Sequence, residues 1–316
     1  MSALEKSAYK PIFDGLENGD QKITCASSIN GEKLQWVLQS EVLENPNYFY
    51  VSGFRTITRG ITIDLYPRYS YTKQEINQLK LKCEERADRL IARTAGHREY
   101  EKALMLHDAL AKNVEYINDG EKERYTIIGP FVEKKAVCEG FAKAYKYLLE
   151  RVGIQCLVVS GTADDPTIHT DNPHAWNMVK IEGEWCHVDV TFDTTIRYLN
   201  TLRYDYFGLT ADEVARDHTF KEGDYPIANK PSLNYYERNH SVIYGKKELF
   251  NYIKEKILKN ELDFVVKLPD DAPEYGLELK VSKVIEESMA KACVYGKYST
   301  GFNATQRVFH IHIVRI

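Results

Sequence analysis

The sequence lacks the cysteine patterns and long apolar runs that mark several common classes of protein. Its six cysteines, at positions 25, 83, 138, 156, 186 and 293, include no Cys-x-x-Cys pair. Such wide spacing fits neither a disulfide scaffold nor a zinc ribbon. No apolar run approaches the roughly 18 residues of a transmembrane helix, so we expect no membrane span. Cys156 and Cys186 lie inside apolar, strand-like runs and are predicted to be buried.

The sequence also has no excess of basic residues. There are 42 lysine and arginine residues against 46 aspartate and glutamate residues, for a formal net charge of −4. This balance gives no electrostatic basis for a nucleic-acid partner. The first residues, MSALEKSAYKPIFDG, contain no apolar signal segment. A cytoplasmic location is therefore expected, or a secreted or cell-surface one if a signal was removed from the chain.

Hydrophobic periodicity predicts an α+β protein with three regions. A chain of 316 residues is long for one core. The N-terminal α/β region, 1–96, contains two strands and a helix that starts after the capping-box pair Thr72 and Glu75. The central region is expected at 97–230. A small C-terminal α/β domain is expected at 231–316, with a helix over 246–260 and strands near DFVVKL and RVFHIHIVRI.

Within the central region, two strands are predicted to form a hairpin that turns at Glu182-Gly183. That register places Trp176 opposite Asp189 and His174 opposite Thr191. His174 and Asp189 are then diagonal neighbours on one sheet face, with Cα atoms about 7–8 Å apart, which an imidazole and a carboxylate can span. A slip of one residue would separate them onto opposite faces.

A cysteine opens the helix that precedes this hairpin. The apolar spacing of Phe141, Tyr145 and Leu148 predicts a helix from Cys138 to Arg151. A thiol in the first turn lies near unsatisfied N–H groups and the positive end of the helix dipole, which favour the thiolate. The backbone N–H of Cys138 is also placed to donate to an oxyanion. A cysteine, a histidine and an aspartate in this order suggest nucleophilic catalysis.

Other histidines and cysteines lie near this segment and could contribute to the same site. His187 could support the site residues from behind or be a surface histidine, and the surface position is favoured. His107 is predicted to be structural. A zinc site made of Cys138, His174, Cys186 and His187 is disfavoured, because adjacent strand residues point to opposite faces. His310 and His312 share a face of the last strand and are expected to point to solvent rather than to bind a metal. No metal and no cofactor is predicted.

Three segments resemble the transglutaminase-like core domain of microbial proteins, whose superfamily has a papain-like fold. They are AVCEGFAKAYKYLLERVGIQCLVVSGT, HAWNMVKIEGEWCHVDVTFD and RYDYFGLT. The resemblance covers roughly residues 98–222. It implies a core in which the helix bearing Cys138 packs on an antiparallel sheet bearing His174 and Asp189. Cys138 would be the nucleophile, His174 the base and Asp189 the residue that orients His174.

The resemblance implies a cysteine-dependent hydrolase or acyltransferase that acts on peptide-like amides through a thioester. The substrate would be a protein or peptide. Animal transglutaminases use an upstream tryptophan as a second oxyanion donor, but no tryptophan lies between Trp36 and Trp176. Tyr116 and Tyr125 are possible substitutes, and Trp176 is expected to line the site. Hydrolysis of the protease or amidase type is favoured, with protein-glutamine crosslinking and an inactive binding or scaffold protein as the alternatives.

Overall fold

The computed structural model describes residues 3–26, 31–164, 171–196, 201–269 and 276–316. Its helices and largely antiparallel sheets confirm the predicted α+β class. The chain divides into two compact units, Met1–Gly153 and Ile154–Ile316. The boundary at Gly153 falls inside the region expected at 97–230, so the contacts group the chain differently from the three predicted regions. In the described part of the chain, no helix is long and apolar enough to cross a membrane.

The first unit contains five helices and two small sheets among its described residues. The helices are α1 (Ala3–Asn18), α2 (Gly31–Trp36), α3 (Lys73–Ile91), α4 (Glu99–Asn113) and α5 (Cys138–Arg151). Its strands are β1 (Ile23–Ala26), β2 (Val51–Arg59), β3 (Thr62–Tyr69), β4 (Glu115–Tyr116) and β5 (Lys135–Ala136). One sheet has the antiparallel order β1-β3-β2, and β4 pairs with β5 in parallel. The predicted capping box of Thr72 and Glu75 is confirmed at the start of α3.

The second unit is built on a five-stranded antiparallel sheet with the order β10-β6-β7-β8-β9. Its first strands and helices are β6 (Cys156–Asp164), β7 (Asp171–Ile181), β8 (Glu184–Val188), α6 (Val190–Thr195), β9 (Phe207–Leu209), α7 (Ala211–Val214) and β10 (His218–Thr219). Cys156 and Cys186 are buried, as predicted. The core on this sheet includes Val159, Met178 and Trp176. The Asp-, Thr- and Pro-containing segment 161–173 is predicted from the sequence to be a loop, but residues 161–164 belong to β6 and residues 171–173 to β7. Residues 165–170 lie outside the described residues.

The β7–β8 hairpin has the predicted turn and register. Glu182 and Gly183 both have positive φ, +53° and +87°, as a two-residue type I′ turn requires. Ile181 pairs with Glu184, and the ladder runs back to Asn177 opposite Val188. The pairing stops there, so the side chains beyond it are positioned by other contacts.

The second unit ends in a three-stranded antiparallel sheet, β11-β13-β12, which packs with two helices. Its elements are α8 (Tyr235–Arg238), α9 (Lys246–Leu258), β11 (Asp263–Lys267), α10 (Leu277–Lys291), β12 (Gly296–Asn303) and β13 (Val308–Arg315). The predicted helix α9 and strands β11 and β13 are confirmed, whereas α10 and β12 were not predicted. Buried Asp205 connects this sheet to the chain before it, because it accepts hydrogen bonds from Arg203, Tyr236 and Asn303.

Candidate active site

Cys138 lies where the sequence places it, at the first residue of α5. Val137 precedes it in an extended conformation and acts as the N-cap without a side-chain hydrogen bond. The sulfur belongs to a half-buried residue, whereas Cys83 in the same unit is buried. Cys138 is therefore partly accessible, as a nucleophilic cysteine must be.

The backbone around Cys138 is held by the preceding loop. Val137 N–H donates to the carbonyl oxygen of Arg124 at 3.1 Å. A Cβ at Gly140 would lie 2.1 Å from that same oxygen, so only glycine fits in this part of the first helical turn. The buried Arg124 side chain bonds Asp119 at 3.0 Å and also pairs with Glu133. These contacts fix the position of the helix start.

The two candidate oxyanion donors of the first unit lie near this loop in sequence and are partly exposed. Tyr116 pairs with Ala136 on the β4–β5 ladder and is 41% exposed. Tyr125 is 38% exposed, and its hydroxyl lies 3.5 Å from Asn118 Oδ1. Neither contact establishes an oxyanion role, so the assignment of both tyrosines stays a prediction.

His174 and Asp189 meet in the second unit. His174 Nε2 lies 2.6 Å from Asp189 Oδ2, and the two side chains are 8% and 1% exposed. The predicted proximity of the two residues is confirmed. Because an ionised carboxylate only accepts, His174 Nε2 carries the proton that is donated to Asp189. Nδ1 is then the nitrogen through which a neutral His174 can act as a base.

The way in which Asp189 reaches His174 differs from the prediction. Asp189 is not a strand residue, because β8 ends at Val188. Asp189 is instead the N-cap of α6, and its Oδ1 accepts the N–H of Phe192 at 2.9 Å. The Asp189 side chain accepts a hydrogen bond from one of the N–H groups in the first turn of α6 that have no partner within the helix. This capping favours the start of a helix, and therefore the end of β8, at Asp189.

Aromatic rings surround the His174 imidazole. Trp176 is stacked at a centroid distance of 5.9 Å, Phe192 lies at 4.9 Å and His218 at 5.5 Å. Trp176 therefore packs against the His174 ring from within the core, where it is 1% exposed. Its expected role in lining the site stays a prediction. Its indole Nε1–H donates to His187 Nδ1 at 3.0 Å.

His187 contradicts the prediction of a surface histidine. It is 1% exposed. Strand alternation predicts one covered face and one open face, whereas this strand is covered on both faces. Burial, together with the nearby charge of His218, lowers the pKa of His187 to about 3. His187 is therefore a neutral acceptor for Trp176.

A second histidine, His218, also bonds Asp189 and was not predicted. His218 Nε2 lies 3.1 Å from Asp189 Oδ2, the oxygen that contacts His174. His218 is placed by strand β10, which pairs with β6 and puts His218 opposite Ala163. No sequence motif identifies His218 as a site residue, because its contact with Asp189 depends on the pairing of β10 with β6. The only local indication is the neighbouring Asp217.

The charges in this cluster are strongly coupled. Burial opposes ionisation of Asp189, but His174 and His218 hold the pKa of its carboxyl well below the usual range. Burial would by itself lower the pKa of His218, but hydrogen bonds to Asp189 and Asp217 raise it. At neutral pH the site therefore contains an ionised carboxylate with two imidazoles directed at it.

His174, Asp189 and His218 are also the group among the described residues that could hold a metal ion, since their ligand atoms lie within 4.8 Å of one another. The distances of 2.6 and 3.1 Å to Asp189 Oδ2 are those of hydrogen bonds. Metal ligation would require the Nε2 atoms to lose their protons and face an ion at about 2.0–2.1 Å. The observed distances therefore fit a hydrogen-bonded group of side chains better than a set of metal ligands. The thiol of Cys186, which belongs to the disfavoured zinc set, lies 3.6 Å from the carbonyl oxygen of Val179.

Comparison with known proteins gives a family for the middle of the chain. Residues 86–190 match the core domain of the transglutaminase-like superfamily. The chain contains a transglutaminase-like core. This core includes Cys138, His174 and Asp189, and it crosses the boundary between the two compact units at Gly153. His218 lies outside the matched segment.

Curated relatives resemble part of this chain. Kyphoscoliosis peptidase of Homo sapiens is 22% identical over 216 residues, which are 62% of this chain and 32% of that protein. Kyphoscoliosis peptidase of Mus musculus is 26% identical over 152 residues, or 44% and 22% of the two chains. The chain thus spans about a third or less of the length of these relatives. A crystal structure of a TGase is 15% identical, with a TM-score of 0.32 and coverage of 56% of this chain and 54% of that chain.

Proposed function

We propose that this protein is a cysteine-dependent peptidase or amidase that hydrolyses peptide-like amide bonds. The observation that carries the proposal is the buried contact of His174 with Asp189 inside a transglutaminase-like core that also contains Cys138. The name of the kyphoscoliosis peptidases supports a protein or peptide substrate. Specificity is assigned to the segments 119–130 and 161–173. The second segment includes the end of β6 and the start of β7, and its residues 165–170 lie outside the described residues.

In the proposed mechanism, His174 Nδ1 takes the thiol proton of Cys138, and the thiolate attacks the amide carbonyl. The backbone N–H of Cys138 stabilises the oxyanion. His174 then returns the proton to the leaving amine, and a thioester remains. Water attacks the thioester with His174 as base, which releases the acid and restores the thiol. Asp189 keeps the proton of His174 on Nε2 throughout and stabilises the imidazolium.

The first experiment measures the reactivity of Cys138. Iodoacetamide labelling at pH 6 is expected to modify Cys138 faster than the exposed Cys293, because only an activated cysteine is a thiolate at that pH. His174→Ala should remove this difference, whereas His97→Ala, a matched change at a partly exposed histidine, should not. Equal labelling of Cys138 and Cys293 in the unmodified protein would favour an inactive binding or scaffold protein.

The second experiment separates hydrolysis from crosslinking. A glutamine-containing peptide library is incubated with the protein, with and without a primary amine, and the products are identified by mass. Hydrolysis products that depend on Cys138, with none formed by Cys138→Ala, are the expected result. Amine adducts alone would instead assign protein-glutamine crosslinking.

A further inference from the structure

The carboxylate of Asp189 receives more hydrogen bonds than an orienting residue needs. Its Oδ2 is shared by His174 Nε2 at 2.6 Å and His218 Nε2 at 3.1 Å. Its Oδ1 accepts the N–H of Phe192 at 2.9 Å. Since Asp189 is only 1% exposed, these protein donors replace solvent water around most of the charge. His218 therefore helps to stabilise the Asp189 carboxylate, and so influences how strongly that carboxylate interacts with His174.

His218 has a carboxylate at each of its ring nitrogens. Its Nδ1 lies 2.6 Å from Asp217 Oδ1, and its Nε2 faces Asp189. A neutral ring would direct a lone pair at one of these carboxylates, so both nitrogens must be protonated. The Asp217 carboxylate is itself held by the hydroxyl of Tyr206, which donates to Oδ2 at 2.5 Å.

The other titratable groups around His218 do not supply a competing charge. His187 is neutral because its pKa is lowered to about 3. Tyr206 is neutral because burial and the charge of Asp217 raise its pKa. His174, the remaining neighbour, has its ring centroid 5.5 Å from that of His218. Strand β6 contributes Ala163 opposite His218. The positive charge of His218 therefore acts on its two carboxylate partners, Asp217 and Asp189, and on the neighbouring His174.

We propose that His218, held as an imidazolium between Asp217 and Asp189, is a positioning residue that fixes Asp189 and moderates the basicity of His174. Its hydrogen bond keeps Oδ2 in place and leaves His174 with the Nε2–H tautomer. Its positive charge offsets part of the charge of Asp189, so the imidazolium of His174 is stabilised less and returns its proton to a leaving amine more readily. This role rests on the proposed function, because it concerns the same base.

The inference is tested with His218→Gln, which removes the cation and retains a polar side chain. The acidic limb of the pH profile of kcat/KM reports the base His174, and it is expected to move up by about one pH unit because His174 loses a cationic neighbour. kcat should fall on the order of ten-fold, since Asp189 loses a support. His187→Gln is the matched control: it removes a buried imidazole from the same cluster without removing a donor to Asp189, and should leave the acidic limb in place. A superimposable profile for His218→Gln would overturn the proposal.

Nitrogen NMR of histidine-labelled protein gives a readout that does not depend on activity. In the unmodified protein, His218 should stay protonated on both nitrogens at pH 8, and neutral His174 should be the Nε2–H tautomer. In His218→Gln, the tautomers of His174 should become mixed. A neutral His218 at pH 8, or an unchanged His174 tautomer in the variant, would contradict the proposal. If Cys138→Ala retained activity, the proposed function would fail, while these spectra would still decide the role of His218.

Asp217→Asn provides a second variant if His218→Gln does not fold. Loss of this carboxylate should allow His218 to deprotonate at lower pH, which the same spectra detect. Should both variants fail to fold, a pH titration of the unmodified protein decides the matter, because His218 and His187 are expected to differ in charge at pH 5–8. Identical titration of the two histidines would reject the assignment of His218.

Discussion

Two clusters in the second unit have the same composition, two histidines and one aspartate, but different surroundings. Asp189 is 1% exposed and offers one oxygen to both His174 and His218. In the C-terminal sheet, Asp263 is 40% exposed, and its two oxygens face His310 and His312 separately. The buried aspartate is almost completely shielded from solvent, so its charge is stabilised mainly by the two imidazoles. The exposed aspartate is screened, and its histidines have less effect on one another.

The C-terminal cluster also corrects a prediction. His310 and His312 were expected to point to solvent, but His310 is fully buried and His312 is only partly exposed. The cause is the strand pairing of β13 with β11, which places Asp263 opposite His312. No carboxylate is close in sequence, so the partner could not be identified from spacing. Polar residues alternate with apolar residues in the sequence whether the polar side chains face solvent or contact a residue of a partner strand, so the alternation alone does not distinguish the two cases.

The largest expected difference between the clusters is in activity. Asp189→Asn should lower kcat on the order of 10³–10⁴-fold, because the amide no longer holds the Nε2–H tautomer of His174. Asp263→Asn, the matched change in the other cluster, should leave kcat within a small factor of the original value. The measurement is kcat on whichever peptide the library experiment identifies. Equal losses in the two variants would mean that Asp189 has no special role.

A second prediction concerns whether both clusters belong to one cooperative structure. Asp205 accepts from Arg203, Tyr236 and Asn303, and these residues connect the two sheets. Asp205→Ala should cost about 3–5 kcal/mol of unfolding free energy, because it leaves Arg203 buried without its partner. The exposed pair of Lys221 and Asp224 provides the control, for which loss of the aspartate should cost less than about 1 kcal/mol.

Hydrogen exchange extends the same comparison. With Asp205→Ala, amide protection should fall in both β7 and β13 if the sheets unfold together. A loss confined to β13 would show that the C-terminal sheet opens by itself, in agreement with the separate domain expected at 231–316. The Asp224→Ala variant should leave protection in both strands unchanged.

The smallest expected effect distinguishes two histidines within the buried cluster by pH. The pKa of His218 is raised on folding, so its stabilisation is present below the ordinary value of about 6.5 and is lost as the pH rises through the folded value. The pKa of His187 is lowered to about 3, so its stabilisation is present above about 6.5 and declines as the pH falls toward 3. The two histidines therefore oppose one another below neutral pH.

Denaturant unfolding at pH 5 and pH 9 measures this opposition. The stability lost in His218→Gln should be larger at pH 5 than at pH 9 by about 1 kcal/mol or more, and His187→Gln should show the reverse trend. Each variant serves as the control for the other, because both remove a buried imidazole. Parallel pH dependence in the two would contradict the assigned charges.

Although the site has no long sequence motif, the local sequence predicted the hairpin that carries His174 and the start of the helix that carries Cys138. The turn residues Glu182 and Gly183 and the alternation of the two strands were enough for the correct hairpin register, because both act over a few residues. The helical spacing after Cys138 likewise located the start of α5. These features depend on short-range sterics and periodicity, which one sequence contains in full.

Tertiary structure alone decided which polar residues are buried and which histidine joins Asp189. His187 is buried because β8 is covered on both faces, and His218 reaches Asp189 because β10 pairs with β6. Both outcomes depend on contacts between segments that are far apart in the chain, and residue spacing within the sequence does not indicate such contacts. The sequence by itself placed Cys138 on a helix start and His174 beside Asp189. The burial that makes Asp189 a strong partner, and the cation that moderates it, come from the packing of the whole unit.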